Sequence, residues 1–164
     1  MKTRRKLLLS GAFTAAAATL GTASALAQTR PVELTFSVWI PASHVPVANF
    51  MMPWGKEVEK ATEGRVKVNF LPKPVTNPMG HYDAVRTGVA DLAFISHSYY
   101  PGRFDLMKFA ILPFSGNSAE STSVAAWRLY DKYLRGANEH RGVRLLGVYA
   151  HGPGGVYTGN RKVE

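Results

Sequence analysis

The sequence predicts an α/β fold, a mostly parallel sheet flanked by helices. Three observations carry this. Strand-like and helix-like segments alternate in the order β-α-β-α-β-α-β. The third strand-like segment, Asp91 to Ser96, is short and nearly continuously apolar, as a strand buried on both faces should be. And the chain of 164 residues contains no cysteine, so its core must hold without disulfides.

The elements follow in order. Leu34, Phe36, Val38 and Ile40 alternate, so residues 33–40 read as a strand that Pro41 ends. Val47, Phe50, Met51, Trp54, Val58 and Ala61 recur at helical spacing, with Pro46 suited to a first helical position. Pro53 must kink or split that helix, because it lacks an N–H and clashes with the preceding turn. Glu63-Gly64 closes it. Val66, Val68 and Phe70 alternate with Lys67 and Asn69, a second and half-exposed strand. Three prolines between Leu71 and Pro78 mark a loop. Gly80 to Thr87 reads as a short helix stopped by Gly88. After an irregular stretch around Tyr99-Tyr100-Pro101-Gly102, Asn117 and Glu120 can form a capping box. The helix behind it is expected to bury Val124, Trp127, Tyr130 and Leu134 and to end near Gly136. Val143 to Ala150 is expected as a fourth strand, and Val156 to Gly159 could begin a fifth.

Composition narrows the function. Lys plus Arg number 20 against 11 Asp plus Glu, a formal charge of +9; 46% of residues are hydrophobic and 19% charged, values of a globular chain. Four cations lie in the first six residues, and Leu7 to Leu26 is apolar and small. Ala25-Leu26-Ala27 is a small-residue cleavage signal, so residues 1–27 read as an export leader with Gln28 as the mature N-terminus. Arg4-Arg5 suits either a twin-arginine or a general secretory route, and both lead to the periplasm. Without the leader, sixteen cations face eleven acids, so the mature chain carries +5. Those cations are scattered singly, which argues against nucleic-acid binding. The absence of cysteine excludes thiolate metal sites and cysteine nucleophiles. No G-x-S-x-G, H-E-x-x-H or P-loop motif occurs, so enzyme activity is the minority reading. Asp91, at the start of a strand, is expected to have a structural hydrogen-bonding role.

Ligands of open parallel sheets bind beyond the carboxyl ends of the strands. Those ends carry Trp39, Ile40, Ser43 and His44 after the first strand, Ser96, His97, Tyr99 and Tyr100 after the third, and His151, Gly152 and Gly154 after the fourth. Together they describe a concave site of apolar walls with a few polar groups. His44, His97 and His151 could instead form a three-histidine metal site, the basis of an alternative reading as an exported metal-binding protein or enzyme. Each tyrosine could equally plug the rim of the core.

Several segments, in order, resemble the solute-binding proteins of tripartite ATP-independent periplasmic (TRAP) transporters. They are Leu34 to Pro41 (LTFSVWIP), Trp54 to Gly64 (WGKEVEKATEG) with Arg65 to Val68, Tyr82 to Asp91 (YDAVRTGVAD), Tyr100 to Phe104 (YPGRF), Leu112-Pro113-Phe114 and His151 to Gly154. The similarity runs over residues 32–159. It implies a periplasmic-binding-protein-like lobe, with the ligand held between two lobes that close by hinge motion. It implies a small organic-acid (carboxylate) ligand, membrane permease subunits as partners, a monomer, and no cofactor. By position it adds Met79 to Tyr82, so that His81 and Tyr82 join Trp39, His44, Ser96, His97, Tyr99, Tyr100, His151 and Gly152 as expected ligand contacts. The domain reading is a leader over 1–27, one lobe over 28–159 and the start of an inter-lobe crossover over 160–164. Relatives are about twice as long, so the resemblance implies a fragment. The arginine that clamps the ligand in the family is expected beyond Glu164. A sensor module passing occupancy to a signalling partner is a third, weaker reading.

Overall fold

The computed structural model describes residues 30–112, 114–155 and 158–160. The expected export leader and residues 161–164 of the expected crossover lie outside the described residues, as do Val156 and Tyr157 of the suggested fifth strand.

Three parallel strands form one sheet in the order β2-β1-β3: β1 is Val32–Ser37, β2 is Val66–Phe70 and β3 is Leu92–Ala93. β1 is central, pairing Val32 to Phe36 with Val66 to Phe70 on one side and Phe36–Ser37 with Leu92–Ala93 on the other. The chain thus visits one side of β1 and then returns to the other. That reversal opens a crevice at the carboxyl ends of β1 and β3.

The helix before β2 resolves its proline conflict by splitting. Val47–Met51 form a π-turn, and α1 (Met52–Ala61) begins there with Pro53 in its first turn. The wider π-turn ahead of it, closed by the Met52 N–H donating to the Val47 carbonyl, accommodates the proline at the junction. Gly55 lets α1 lie close on β2: an added Cβ would sit 3.2 Å from the Phe70 ring and 3.3 Å from Val68. Phe36 is buried at the centre of this layer, 4.8 Å from the Phe70 ring and edge-on to Trp54 at 6.4 Å. Val47 and Met51 complete the buried set.

α2 (His81–Arg86) follows a single 3-10 turn and ends before Gly88, whose φ of +76° suits a residue without Cβ. Asp91 does hold the sheet together. Its Oδ2 accepts from the Thr35 N–H at 2.8 Å and the Thr35 hydroxyl at 2.7 Å, which lower its pKa.

Beyond β3 the backbone becomes irregular. Two 3-10 segments, His97–Tyr99 and Leu106–Ile111, lead to α3 (Ala119–Leu129), which continues through a π-turn to Leu134 and a 3-10 turn to Ala137. The cap of α3 is Ser118, accepting from the Ser121 N–H at 3.2 Å, rather than the expected Asn117–Glu120 box. Val124 is exposed rather than buried, while Ala126 and Tyr130 take the inner face.

The expected fourth strand does not form among the described residues. Residues 143–150 are irregular and outside any ladder, and no backbone hydrogen bond joins them to β3. β3 is only two residues long and offers almost no edge to pair with. Val143, Leu145 and Val148 instead pack by their side chains against the cluster of Tyr82, Tyr100, Phe104, Met107 and Tyr130. Ser123 fastens the far end: its Oγ accepts from the Ala150 N–H at 2.8 Å.

Candidate functional site

The carboxyl ends of β1 and β3 bring aromatic rings together. Trp39, two residues past β1, stacks on Phe94 at 5.7 Å and 15°, and meets Tyr99 at 5.5 Å. Phe94 stacks in turn on Tyr149 at 5.8 Å and 10°, and Tyr149 abuts Phe50 at 6.3 Å. Four separate chain segments therefore build one aromatic surface at the crevice. Much of it faces solvent: Phe50 is 59% exposed, Tyr149 43% and Tyr99 41%. The Trp39 Nε1–H is buried and has no hydrogen-bond partner among the described residues. Ser96 lies at the same end, its hydroxyl 2.9 Å from that of Ser98. Of the sequence-derived site residues, Trp39, Tyr99 and Ser96 thus stand at the mouth.

Four others face inward and hold the mouth in place. His81 is fully buried. Its Nδ1 lies 2.8 Å from the Asn77 carbonyl oxygen, which can only accept, so the hydrogen sits on Nδ1. Its Nε2 is then free to accept from the Ser37 hydroxyl at 3.0 Å, and Ser37 Oγ accepts from the Val75 N–H at 3.1 Å. One imidazole thereby locks the end of β1, the proline-rich loop and the start of α2 together. Two N–H groups at that helix start are engaged within the chain: Gly80 donates to Asn77 and Tyr82 to the Tyr100 hydroxyl at 3.1 Å. The Tyr100 hydroxyl donates to the Pro78 carbonyl at 3.0 Å, and the Tyr82 hydroxyl to the Arg141 carbonyl at 2.6 Å. Burial raises the pKa of both phenols.

His97 has a partner the sequence did not reveal. Its Nε2 lies 2.9 Å from Nε2 of His140, 43 residues away, inside a cage of Phe104 and Tyr130. One ring must donate and the other accept, so the contact needs at least one neutral imidazole. Burial holds the pKa of His97 down to about 4, with His140 adding to the effect. Burial also lowers that of His140, against an opposing pull from Glu139. His140 is buried, and its Nδ1 has no partner among the described residues.

The structure does not assemble the three-histidine metal site. His44 is exposed in the turn before the π-turn, and His151 is exposed with its Nδ1 donating to the Gly152 carbonyl at 2.7 Å. His97 is committed to His140. Among the described residues no group of three or more His, Asp or Glu side chains could hold a metal ion.

Beneath the aromatic surface lies a cavity of about 290 Å³, between β3 and residues 143–149. Phe36, Trp54, Phe94, Ile95, Leu145 and Tyr149 give it apolar walls, and His97 and His140 stand at its side. It occupies the space that a laddered fourth strand would close. Phe50, Phe94 and Tyr149, which the sequence pattern assigns to a helix and two strands, emerge as contributors to the mouth. Only their aromatic character signalled this.

Comparison with known proteins agrees with this architecture. The family described as bacterial extracellular solute-binding protein, family 7 (DctP) matches residues 37–164. A TRAP periplasmic solute-binding protein from Bordetella bronchiseptica, solved with bound (R)- and (S)-mandelate, is 65% identical with a TM-score of 0.73; the match covers 75% of this chain and 39% of that one. A marine metagenome TRAP solute-binding protein specific for aromatic acid ligands, solved with metahydroxyphenylacetate, is 32% identical with a TM-score of 0.68, over 74% of this chain and 38% of that one. The transporter protein TsaT of Comamonas testosteroni, described as an outer membrane protein, is 35% identical over 105 residues, which are 64% of this chain and 31% of that protein. The chain thus spans about two fifths or less of the length of these relatives. With a parallel sheet, flanking helices and a family match across most of its residues, this chain belongs to the family 7 bacterial extracellular solute-binding proteins, and the solved proteins it resembles are TRAP solute-binding proteins.

Proposed function

We propose that this chain supplies one lobe of a periplasmic TRAP solute receptor that captures a small aromatic carboxylate for an ion-driven membrane permease. It acts as a monomeric binding protein, not as an enzyme. The observation that carries the reading is the solvent-facing aromatic surface of Trp39, Tyr99, Phe94 and Tyr149 at the carboxyl ends of β1 and β3. Stacked rings offer flat apolar faces that match an aryl group and give an aliphatic acid far less. The ligands of the Bordetella bronchiseptica and marine relatives, mandelate and metahydroxyphenylacetate, support this class. Ser96 supplies a polar group for the rest of the ligand. His81, Tyr82, Tyr100 and His97 act behind the mouth, by fixing the loops that carry it. His44, His151 and Gly152 lie further out, where a ligand's polar end or an opposing lobe would meet them.

The test is a titration of the tryptophan fluorescence of the mature chain with mandelate, and in parallel with malate. A single lobe presents one wall of a cleft, so the expected dissociation constant is on the order of millimolar, about 4 kcal/mol. Mandelate should perturb the emission saturably and malate should not, and Trp39→Ala should remove the response. Equal responses to both acids, or none to mandelate, would overturn the aromatic assignment.

A further inference from the structure

On the other side of Tyr82 from the apolar cavity lies a second recess, of about 450 Å³, lined by Tyr82, Arg86, Arg103, Glu139, Arg141 and Gly142. Three guanidinium groups from three distant parts of the chain converge there. Each is seated by something other than a charge. Arg86 lays its stem over Gly142, where a Cβ would fall 3.1 and 3.2 Å from its Cγ and Cδ. Gly142 also adopts a φ of +87°, so only glycine satisfies both demands. Arg103 rests over the Tyr82 ring at 4.7 Å. The Arg141 backbone is held by the Tyr82 hydroxyl.

Two carboxylates, Asp83 and Glu139, stand against the three guanidinium groups. Asp83 alone serves both Arg86, at 3.2 Å, and Arg103, which reaches both its oxygens at 3.2 Å. Glu139 spends Oε1 on the Leu106 N–H at 2.8 Å, and its Oε2 is buried without a partner among the described residues. The exposed Arg141 side chain makes no ion pair or hydrogen bond with any described residue. Like charges held together in a recess are costly unless an anion joins them. Guanidinium forks match a carboxylate's two oxygens. The recess is far roomier than one free carboxylate needs, so the anion should arrive on a larger body.

We infer that Arg86, Arg103 and Arg141 form a docking notch for an acidic segment of a partner protein, presenting Asp or Glu carboxylates. This rests on the binding-protein reading above, which supplies a membrane permease as the partner. The notch is separate from the aromatic mouth, so the two can be tested apart.

The probe is a fluorescein-labelled hexaglutamate peptide, titrated by anisotropy with the full chain at low salt. Inorganic phosphate and acetate are run as competitors at matched ionic strength. Saturable binding is expected, weakened about tenfold by Arg141→Gln and similarly by Arg86→Gln. The mandelate response should be retained in both variants, and circular dichroism should confirm that both fold. Peptide binding that neither substitution weakens would place the peptide on the general basic surface and overturn the proposal. No peptide binding at all would do the same, as would full displacement by phosphate at equal concentration, which would mark a small-anion site. Loss of the mandelate response with the notch intact would instead sink the ligand reading alone.

Discussion

The molecule has two halves held in different ways. From β1 to β3 the backbone is tied by ladders: five paired positions between β1 and β2, two between β1 and β3. From His97 to Ala150 the described residues form no strand ladder, and α3 and the short helical turns are joined to their surroundings by ring edges and single side-chain hydrogen bonds, such as Tyr82 to Arg141, His97 to His140 and Ser123 to Ala150. The first half would survive loss of most of its individual side chains' polar contacts. The second depends on each fastening separately. The proposed ligand mouth lies on the seam, with Trp39 and Phe94 on the rigid half and Tyr149 on the suspended one. Adjustment to a ligand should therefore come from the side of Tyr149.

The largest test of this contrast is a pair of core truncations. Phe36→Ala and Phe104→Ala should each cost about 3–5 kcal/mol, measured by urea unfolding. Their exchange patterns should differ. Loss of Phe36 should unprotect amides across both halves, because β1 is the central strand. Loss of Phe104 should leave β1 and β2 amides protected while residues 97–150 open. Identical patterns would erase the distinction.

Acid should loosen the second half first. His97 has a folded pKa of about 4, below its usual 6.5, so the native state resists protonation. Stability is fully present above about 6.5, where both folded and unfolded chains are neutral. It falls as the pH drops from about 6.5 to about 4, because only the unfolded chain takes the proton, and then levels off. The loss should reach at most about 3 kcal/mol. Thermal melts across this range should show it, and His97→Phe should flatten the slope. A slope unchanged in that variant would remove the histidine pair from the account.

His81→Ala should cost about 1–3 kcal/mol, since it strands the Ser37 hydroxyl and the Asn77 carbonyl in a buried place. It should also weaken mandelate binding, by freeing the loop ahead of α2, and fluorescence titration would read that. Ser123→Ala should cost least, about 1 kcal/mol. Its mark should be faster hydrogen exchange at Ala150, with no change in β1.

Legibility from sequence followed the same division. Alternation at Leu34 and Phe36, helical spacing around Trp54, the break at Pro53 and the stop at Gly88 are local signals, and each became local structure. The structural role of Asp91 was likewise legible, because its partner Thr35 lies on the adjacent strand. The geometry of the candidate site was half legible. Trp39 and Tyr99 stand just past strand ends, where a parallel sheet places its ligand contacts. The burial of His81 was hidden, since nothing local says that both its nitrogens will be taken. The partnership of His97 with His140 was hidden too, as it depends on two irregular segments meeting. The fourth strand misled because Val143 to Val148 has the right residues. Pattern reports apolar content but not whether a neighbouring edge is long enough to pair.

That unpaired segment has a consequence for behaviour at high concentration. Among the described residues no backbone hydrogen bond joins residues 143–149 to β3, and only side-chain packing holds that segment over the cavity. The two residues of β3 give another chain too little edge to pair with, but the apolar walls behind residues 143–149 are an adhesive surface once bared. The unzipped segment therefore works as a loose shutter. Conditions that swing it aside, acid above all, should bare Phe36, Phe94 and Ile95 and turn separate lobes into copies joined through that apolar face.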